Sequence, residues 1–255
     1  GVVADVQLGD VTAQVRFLRL ERPGAAVFFA ANDAAYDRDG LYGYEDDGLR
    51  FILFCKAVVG IAPQLLGGIP RIVHCHDWHA ALAAALIRTH ARHMYPGTRT
   101  FLTLHNLAYQ GVFSKELVPV SGLGWEHFHM DCAEYHDRLN LLKAGIALAD
   151  VVTTVSPTYA REVQTPALGA NLDGLMRKIR IHGILNGIDT HEWDPQQDPH
   201  VQGSWSADDL SGKQEARAAL LDRCEWDDPP GQPLLAVVSR MTGQKGLDLI
   251  TALVP

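Results

Sequence analysis

One stretch constrains the fold of this chain more than any other: RIVHCHDWH, from Arg71 to His79. A short apolar run there ends in three histidines, an aspartate and a tryptophan, and an apolar, helix-like segment follows at 80–88. The order is therefore strand, polar tip, helix. In open α/β sheets, polar side chains at the carboxyl end of a strand face the crevice where ligands bind. The stretch predicts a strand tip that faces a ligand.

The same order recurs along the chain. Apolar runs typical of strands lie at 99–104, 151–155, 181–185 and 234–238, and helical patterns at 49–66 (interrupted near Pro63), 139–149, 207–223 and 247–253. Short helices are predicted at 158–163 and 171–179. Alternating strands and helices indicate an α/β fold whose mostly parallel sheet is covered on both faces. The alternating run at 11–20 and the apolar run at 25–30 predict strands in an edge region, and 114–136 is long enough for a lid or inserted subregion.

The tract DDPPGQP at 227–233 has the composition of a linker. Residues 1–226 are therefore predicted to form one domain and residues 234–255 the start of a second α/β domain. A strand and the beginning of a helix cannot bury a core alone, and the chain begins Gly1-Val-Val without an initiator Met. Both features favour an internal fragment.

Composition and net charge limit the kinds of partner and compartment that are expected for this chain. The net charge is −8 and the pI about 5.8, which argues against nucleic acid or an anionic membrane as the main partner. We expect no membrane helix, since no uninterrupted apolar run reaches the ~20 residues that a span needs. The four cysteines are scattered without a CxxC pair, so a reducing compartment is expected.

The histidines of the opening stretch suggest a metal site, but the spacing does not support one. Metallohydrolases of this appearance use H-x-H-x-D-H, and here Asp77 stands one place too early. The alternative interpretation of His74 is a core histidine that is hydrogen-bonded to the backbone. The alternative for Trp78 is a side chain that packs against the first turn of the helix. The chain also lacks G-x-S-x-G, G-x-G-x-x-G and the P-loop pattern.

Once these motifs are excluded, the candidate functional groups are the neutral and cationic hydrogen-bonding side chains at the strand tips. Arg240 and Lys245, five residues apart before a predicted helix, suit a diphosphate, because a guanidinium binds oxygens bidentately and an ammonium acts as a point charge. The alternative is that Arg240 and Lys245 are solvated side chains of a surface loop. Asp77 and Asn106 suit sugar hydroxyls, or else cap a helix or turn.

Five segments carry a family resemblance. HCHDWHAAL, LTLHNLAYQGVF, NLLKAGIALADVVTTVSPTYAREV, ILNGIDTHEWDP and AVVSRMTGQKGLDLI closely resemble, in consistent order, bacterial glycogen synthases and plant starch synthases. The resemblance implies a GT-B architecture of two Rossmann-like domains, and retaining transfer of glucose from ADP-glucose to the non-reducing end of an α-1,4-glucan. It implies no metal and no cofactor. It leaves the oligomeric state open.

The resemblance also assigns residues. Asp77 is similar to the carboxylate near the glucosyl unit, and His105 to the group that supports the glucose and its developing positive charge. Asn106 and Asn186 match further hydrogen-bonding groups of the cleft, and Arg240 and Lys245 match the diphosphate clamp. A bacterial cytoplasm is the expected location, with the plastid as the alternative.

The chain departs from the family pattern in three places. The K-x-G-G-L loop and the E-x-C-G-L segment are absent, and MDCAEYHDR at 130–138 replaces an E-F-Y-G-Q type sequence. We therefore expect the 255 residues alone to be inactive. The other hypotheses are a sucrose- or trehalose-related GT-B synthase, a glucan-binding relative without activity, and the metallohydrolase.

Overall fold

The computed structural model describes residues 1–227 and 231–252. The chain forms two compact units, Gly1–Asn186 and Gly187–Pro255. Part of the predicted linker, residues 228–230, and the end of the predicted last helix, Leu253, lie outside the described residues. The domain limits at residues 226 and 234 were inferred from the composition of the linker, and they stay predictions.

The first unit begins with antiparallel strands and continues with alternating strands and helices. In chain order its elements are β1 (Val2–Leu8), β2 (Val11–Arg22), β3 (Ala25–Ala31), α1 (Asp33–Tyr36), α2 (Asp47–Leu65), β4 (Ile72–His76), α3 (Asp77–Arg88), β5 (Arg99–Leu104), β6 (Val112–Ser114), α4 (Leu117–Ser121), β7 (Glu134–Tyr135), β8 (Arg138–Asn140), α5 (Leu141–Leu148), β9 (Val151–Thr154), α6 (Pro157–Glu162), α7 (Asp173–Met176) and β10 (Ile181–Gly183).

The first three strands form an antiparallel sheet, β1–β2–β3. The strands predicted at 11–20 and 25–30 are confirmed, whereas β1 was not predicted. Alternate residues of a strand point to opposite faces, so Val15 and Phe17 of β2 are buried, together with Leu53 and Ile61 of α2. This sheet therefore packs on α2.

Helix α2 runs through Pro63 to Leu65, so the predicted interruption is wrong. A proline inside a helix removes the hydrogen bond to the carbonyl four residues earlier, here that of Val59. The buried hydroxyl of Tyr95 donates to this carbonyl instead, at 2.5 Å, and burial raises the pKa of Tyr95 to about 12. A neighbouring side chain thus replaces the missing donor.

Helix α2 is also long and apolar enough to cross a membrane by length and composition, contrary to the expectation from the sequence. In this fold it contacts β1, α3 and α4, and residues such as Ile52 and Cys55 are fully buried. That is the environment of a core helix.

The parallel sheet has the strand order β10–β9–β5–β4. Its strands confirm the predictions at 99–104, 151–155 and 181–185, although the last two end at Thr154 and Gly183. Helix α3 covers β4 and β5 and packs closely on α5. At Gly145 of α5 an added Cβ would come within 2.7 Å of the Cβ of Ala81, so this helix contact requires glycine.

The expectation that helices cover both faces of the sheet is wrong at β4. Its alternate residues Ile72, His74 and His76 are exposed, Ile72 by 59%, while Cys75 between them is buried. Within the described part of the chain, α3 is the helix that makes extensive contact with β4, and it lies on the Cys75 side. The histidines therefore lie on an open face.

The predicted lid region is partly ordered into a small antiparallel sheet, β6–β8–β7. His136 and Asp137 join β7 to β8 with φ of 51° and 61°, as in a two-residue type I′ hairpin turn. The unusual tract at 130–138 thus places a histidine and an aspartate where Asn-Gly is preferred. Lys115 Nζ donates to Asp137 at 2.6 Å, which ties the turn to the segment after β6.

Two of the remaining helices of the first unit, α5 and α7, are shorter than predicted. Helix α5 begins at Leu141 because Leu139 and Asn140 belong to β8, and Asn140 Oδ1 caps it by accepting from Lys143 N–H at 2.9 Å. The helix predicted at 171–179 is reduced to α7, and that at 158–163 forms one residue earlier, as α6.

The second unit contains α8 (Lys213–Arg223), a 3₁₀ turn (Gly243–Lys245) and α9 (Leu247–Thr251). The predicted buried strand at 234–238 is wrong: these residues form no strand, and Val237 and Val238 are 55% and 100% exposed. A strand needs neighbours that pair with its backbone, and no strand lies among the described residues of this unit.

Candidate functional site

Asp77 lies where β4 passes directly into α3. Its φ is 55°, a left-handed conformation that costs most residues about 1–2 kcal/mol and that Asp adopts more readily than most. Its Oδ1 accepts a hydrogen bond from the backbone N–H of His105 at 2.8 Å. This bond joins the tips of two neighbouring parallel strands and holds the carboxylate at the carboxyl edge of the sheet.

His105 follows β5, and its ring is exposed beside that of His76. His105 Nε2 and His76 Nδ1 lie 3.1 Å apart, so one ring nitrogen donates and the other accepts. The ring of His76 also lies 4.3 Å from that of His74 between centroids. The His105 ring is thus oriented through Nε2, and its backbone N–H through Asp77.

The predicted amide groups lie on the same sheet edge but in different environments. Asn106 is half-buried, and its Oδ1 accepts from Ala108 N–H at 3.0 Å, so it stabilises the turn after β5. Asn186 is exposed, three residues after β10. Three strand spacings separate β10 from β4, roughly 14 Å. Asn186 and Asp77 therefore occupy opposite ends of this edge.

Arg240 and Lys245 belong to the second unit, and both are exposed. The carbonyl of Arg240 accepts a hydrogen bond from Thr242 N–H at 2.9 Å, and Lys245 ends the 3₁₀ turn before α9. The predicted spacing before a helix start is therefore observed. Their role toward a diphosphate stays a prediction.

The histidine-rich stretch does not form a metal centre. Among residues 1–227 and 231–252, no group of three or more His, Cys, Asp or Glu side chains is arranged to hold a metal ion. His74 is exposed, and its Nε2 lies 2.6 Å from the hydroxyl of Thr103. The interpretation of His74 as a core histidine bonded to backbone is therefore wrong, whereas Trp78 packs in the core, 6% exposed.

A cavity of about 570 Å³ opens beside this strand edge. Its wall includes Trp78, which follows Asp77, and Tyr109, which follows His105 by four residues. Sequence reasoning missed this cavity. A signal for it existed in the loop at 36–48, which is rich in Tyr, Gly and Asp, and in the aromatic residues after Asn106. Other lining residues are Tyr42, Phe113, Tyr135 and Asn171.

Two histidines of the stretch Arg71 to His79 have a pKa below the ordinary histidine value. Burial lowers the pKa of His79, against the opposing effect of Asp77 and Asp47. Burial also lowers the pKa of His76, as does positive charge on His74 and His105, while Asp77 opposes this. Both rings are therefore favoured in the neutral form in the folded chain.

We expect the free energy of unfolding to fall as the pH drops below about 6.5, the ordinary histidine pKa. With a lower pKa in the folded state, the unfolded chain binds more protons in this range, so acid favours unfolding, by at most ~1.4 kcal/mol per pH unit for each histidine. Urea unfolding at pH 7.5 and 5.5 measures this. His79→Gln reduces the pH dependence. A slope in this variant equal to that of the unsubstituted chain would contradict the assignment.

The chain resembles known proteins over nearly its whole length. Residues 2–178 match the family described as the starch synthase catalytic domain. A glycogen synthase of Anaeromyxobacter sp. (strain Fw109-5) is 46% identical over 252 residues, which cover 95% of this chain and 53% of that protein. A glycogen synthase of Syntrophotalea carbinolica is 39% identical, over 98% of this chain and 53% of that protein. The chain thus spans about half the length of these relatives.

A solved structure of a related enzyme also matches the fold of this chain. The catalytic domain of Starch Synthase IV from Arabidopsis thaliana, bound to ADP and acarbose, matches with a TM-score of 0.87 and 32% identity, over 98% of this chain and 53% of that one. The α/β fold with its parallel sheet is therefore that of a GT-B glycosyltransferase catalytic domain, and the metallohydrolase hypothesis is wrong. The family match covers more than half of the chain, and the chain belongs to the starch synthase catalytic domain family.

Proposed function

We propose that the protein containing this chain transfers glucose from ADP-glucose to the non-reducing end of an α-1,4-glucan, with retention of the anomeric configuration. The observation that carries the proposal is the Asp77 carboxylate held by the His105 N–H at a strand edge beside an aromatic cavity. Family membership and the ADP and acarbose bound to the Arabidopsis relative support it.

Each predicted residue has a role in this reaction. Asp77 places a negative charge near the glucosyl unit, where it stabilises the positive charge that develops as the bond to the diphosphate breaks. The strand tip that bears His105 contacts the sugar, and Asn106 and Asn186 offer amides to sugar hydroxyls. Arg240 and Lys245 bind the departing diphosphate, whose charge they neutralise without a metal.

The expected setting of the reaction is a bacterial cytoplasm. The acidic composition, with a net charge of −8, argues against nucleic acid or an anionic membrane as the main partner. The four cysteines are free in the structure, three of them buried, which is compatible with a reducing compartment.

The test is a transfer assay with the full-length protein encoded by the gene that carries this sequence. Labelled ADP-glucose or UDP-glucose is supplied with glycogen, and radioactivity in the polymer is counted. We expect incorporation from ADP-glucose, at a higher kcat/KM than from UDP-glucose. A preference for UDP-glucose would favour a different GT-B synthase, and glycogen binding without transfer would favour a relative that has lost catalysis.

A further inference from the structure

We propose that His76 is a positioning residue for the transfer reaction, because its ring Nδ1 holds the ring of His105 through Nε2. This role deepens the proposed function and rests on it for the reaction itself. The family resemblance assigns His105 to the glucose, whereas His76 matches none of the groups that it assigns. His76 acts here through the His105 ring and does not itself contact the sugar.

The ring of His105 depends on a partner for its direction. It is exposed at the end of β5. The 2.8 Å bond from its backbone N–H to Asp77 Oδ1 fixes the main chain but leaves the side chain free to rotate. Within the part of the chain that the structure describes, one hydrogen bond reaches the ring, between its Nε2 and His76 Nδ1 at 3.1 Å. His76 therefore sets the orientation of this ring.

His76 is suited to this task because it lies on a regular strand. It is the last residue of β4, and Thr103 of β5 is its partner in the parallel register. Its ring also lies 4.3 Å from the ring of His74 between centroids. A side chain on a strand is held more precisely than one on a loop, so His76 is the fixed member of the histidine pair.

The support of His76 continues across the parallel sheet. His74 Nε2 lies 2.6 Å from the hydroxyl of Thr103, and this hydroxyl lies 2.6 Å from that of Thr153. A hydroxyl can both donate and accept, so Thr103 can bond to both neighbours at once. The contacts thus run from β9 through β5 to β4, and then through the ring of His76 to His105.

The bond between the two rings also constrains their protons. In a neutral imidazole one nitrogen donates and the other accepts, and the bond at one nitrogen sets the state of the other. One proton therefore lies between His76 Nδ1 and His105 Nε2, and two charged rings could not share this bond. Burial lowers the pKa of His76, as does charge on His74 and His105, while Asp77 opposes this. The neutral state, which keeps the bond, is favoured.

A fixed His105 ring matters most when positive charge develops on the glucosyl unit. A polar group stabilises a transition state best when it already points at the developing charge before the reaction begins. Small misplacements of such groups lower the rate strongly. We therefore expect loss of the His76 contact to lower kcat and kcat/KM together, as for an interaction that serves the transition state.

The test compares two variants of the full-length protein that have nearly the same shape. Leucine and asparagine branch at the same carbon, but only asparagine can donate or accept at the position of His76 Nδ1. We expect His76→Leu to lower kcat about tenfold, as for loss of one hydrogen bond, with the KM for ADP-glucose changed less than about twofold. His76→Asn restores kcat to within about threefold of the unsubstituted protein.

The matched control is His182→Leu. His182 is another exposed histidine of the same parallel sheet, on β10, where it pairs in register with Thr153. Within the described residues its ring forms no hydrogen bond to the strand tips of β4 and β5. We therefore expect this variant to leave kcat nearly unchanged. Circular dichroism verifies that each variant is folded, and His76→Ala replaces His76→Leu if the leucine variant is not.

Nuclear magnetic resonance with isotope-labelled histidine reports on the His105 ring directly, and His105→Gln identifies its signals. We expect well-separated nitrogen shifts for the two ring nitrogens, because the bond fixes the proton on one of them, and shifts closer together in His76→Leu. The proposal is overturned by a normal kcat in His76→Leu, by equal losses in His76→Leu and His76→Asn, by a similar loss in His182→Leu, or by His105 shifts that His76→Leu leaves unchanged.

The nitrogen shifts separate this proposal from the proposed function, because they need neither donor nor transfer. If the full-length protein transfers no glucose but His76→Leu changes the His105 shifts, the contact between the rings holds and the proposed reaction is wrong. If transfer occurs and His76→Leu transfers glucose normally, the proposed reaction holds and the role of His76 is wrong.

Discussion

We expect the replacement of Asp77 with asparagine in the full-length protein to lower kcat for the proposed glucosyl transfer by about 10²–10³-fold, which corresponds to ~2.7–4 kcal/mol of lost transition-state stabilisation. Asparagine retains an oxygen that accepts the His105 N–H, a bond of 2.8 Å in the structure. It also tolerates the φ of 55° at this position. The substitution therefore removes the negative charge and leaves the local fold in place.

Asp77→Ala is the companion variant. It removes the charge and the hydrogen bond together, and it forces alanine into a left-handed conformation, so we expect the free energy of unfolding to fall by about 1–3 kcal/mol as well. Initial rates at saturating ADP-glucose and glycogen measure the first effect, and urea unfolding of both variants the second. If Asp77→Asn retained kcat near that of the wild type, the carboxylate would serve only to hold the backbone of His105.

The second large effect is expected at Arg50. This side chain is 5% exposed and forms an ion pair with the equally buried Asp47. It also donates to the carbonyls of Ala35 at 2.6 Å and Leu41 at 3.3 Å. Removing one partner of a buried ion pair leaves an uncompensated charge, at a cost of about 3–5 kcal/mol. Arg50→Ala therefore lowers the free energy of unfolding by about that amount, as measured in urea.

The chain contains its own control for this prediction. Arg38 pairs with Asp46 at 2.8 Å, but both side chains are partly exposed, 29% and 41%. Both arginines also lie over the Tyr44 ring, at 5.2 and 5.1 Å from its centroid. The two pairs thus differ mainly in burial. Exposed pairs contribute about 0–1 kcal/mol, so Arg38→Ala has a small effect.

A double variant tests the physical cause. If the cost of Arg50→Ala arises from a stranded charge, then Asp47→Asn combined with Arg50→Met recovers part of the stability, because a buried pair replaced by uncharged residues is often neutral. Equal stabilities for Arg50→Ala and Arg38→Ala, or a double variant less stable than Arg50→Ala, would contradict this explanation.

The position of Asp77 and His105, each at the tip of a strand, followed from the sequence. Two apolar runs with polar tips, each followed or preceded by a helix, predict parallel strands, and the carboxyl ends of parallel strands share an edge. Because β4 and β5 are direct neighbours in the sheet, their tips lie within hydrogen-bonding distance. Periodicity and the family motifs were sufficient for the strand tips, since both depend on local sequence, whereas the pairing of β4 with β5 came from the structure.

Other features depended on contacts between distant segments. The continuation of α2 through Pro63 required a donor from Tyr95, which lies on a different element. The apolar run at 234–238 resembled a buried strand, yet within the described residues it lacks the neighbouring strands that would pair with it. Hydrophobicity and propensity carry no information about which partners a segment finds.

By itself, the sequence determined the α/β class, the parallel strands of the first unit, the family and the residues at the tips of those strands. Only the tertiary structure decided that the face bearing His74 is open, and that Tyr42, Trp78, Tyr109 and Tyr135 line one cavity. The physical reason is that strand and helix patterns arise from neighbours along the chain. A cavity instead arises from loops far apart in sequence that long-range packing brings together.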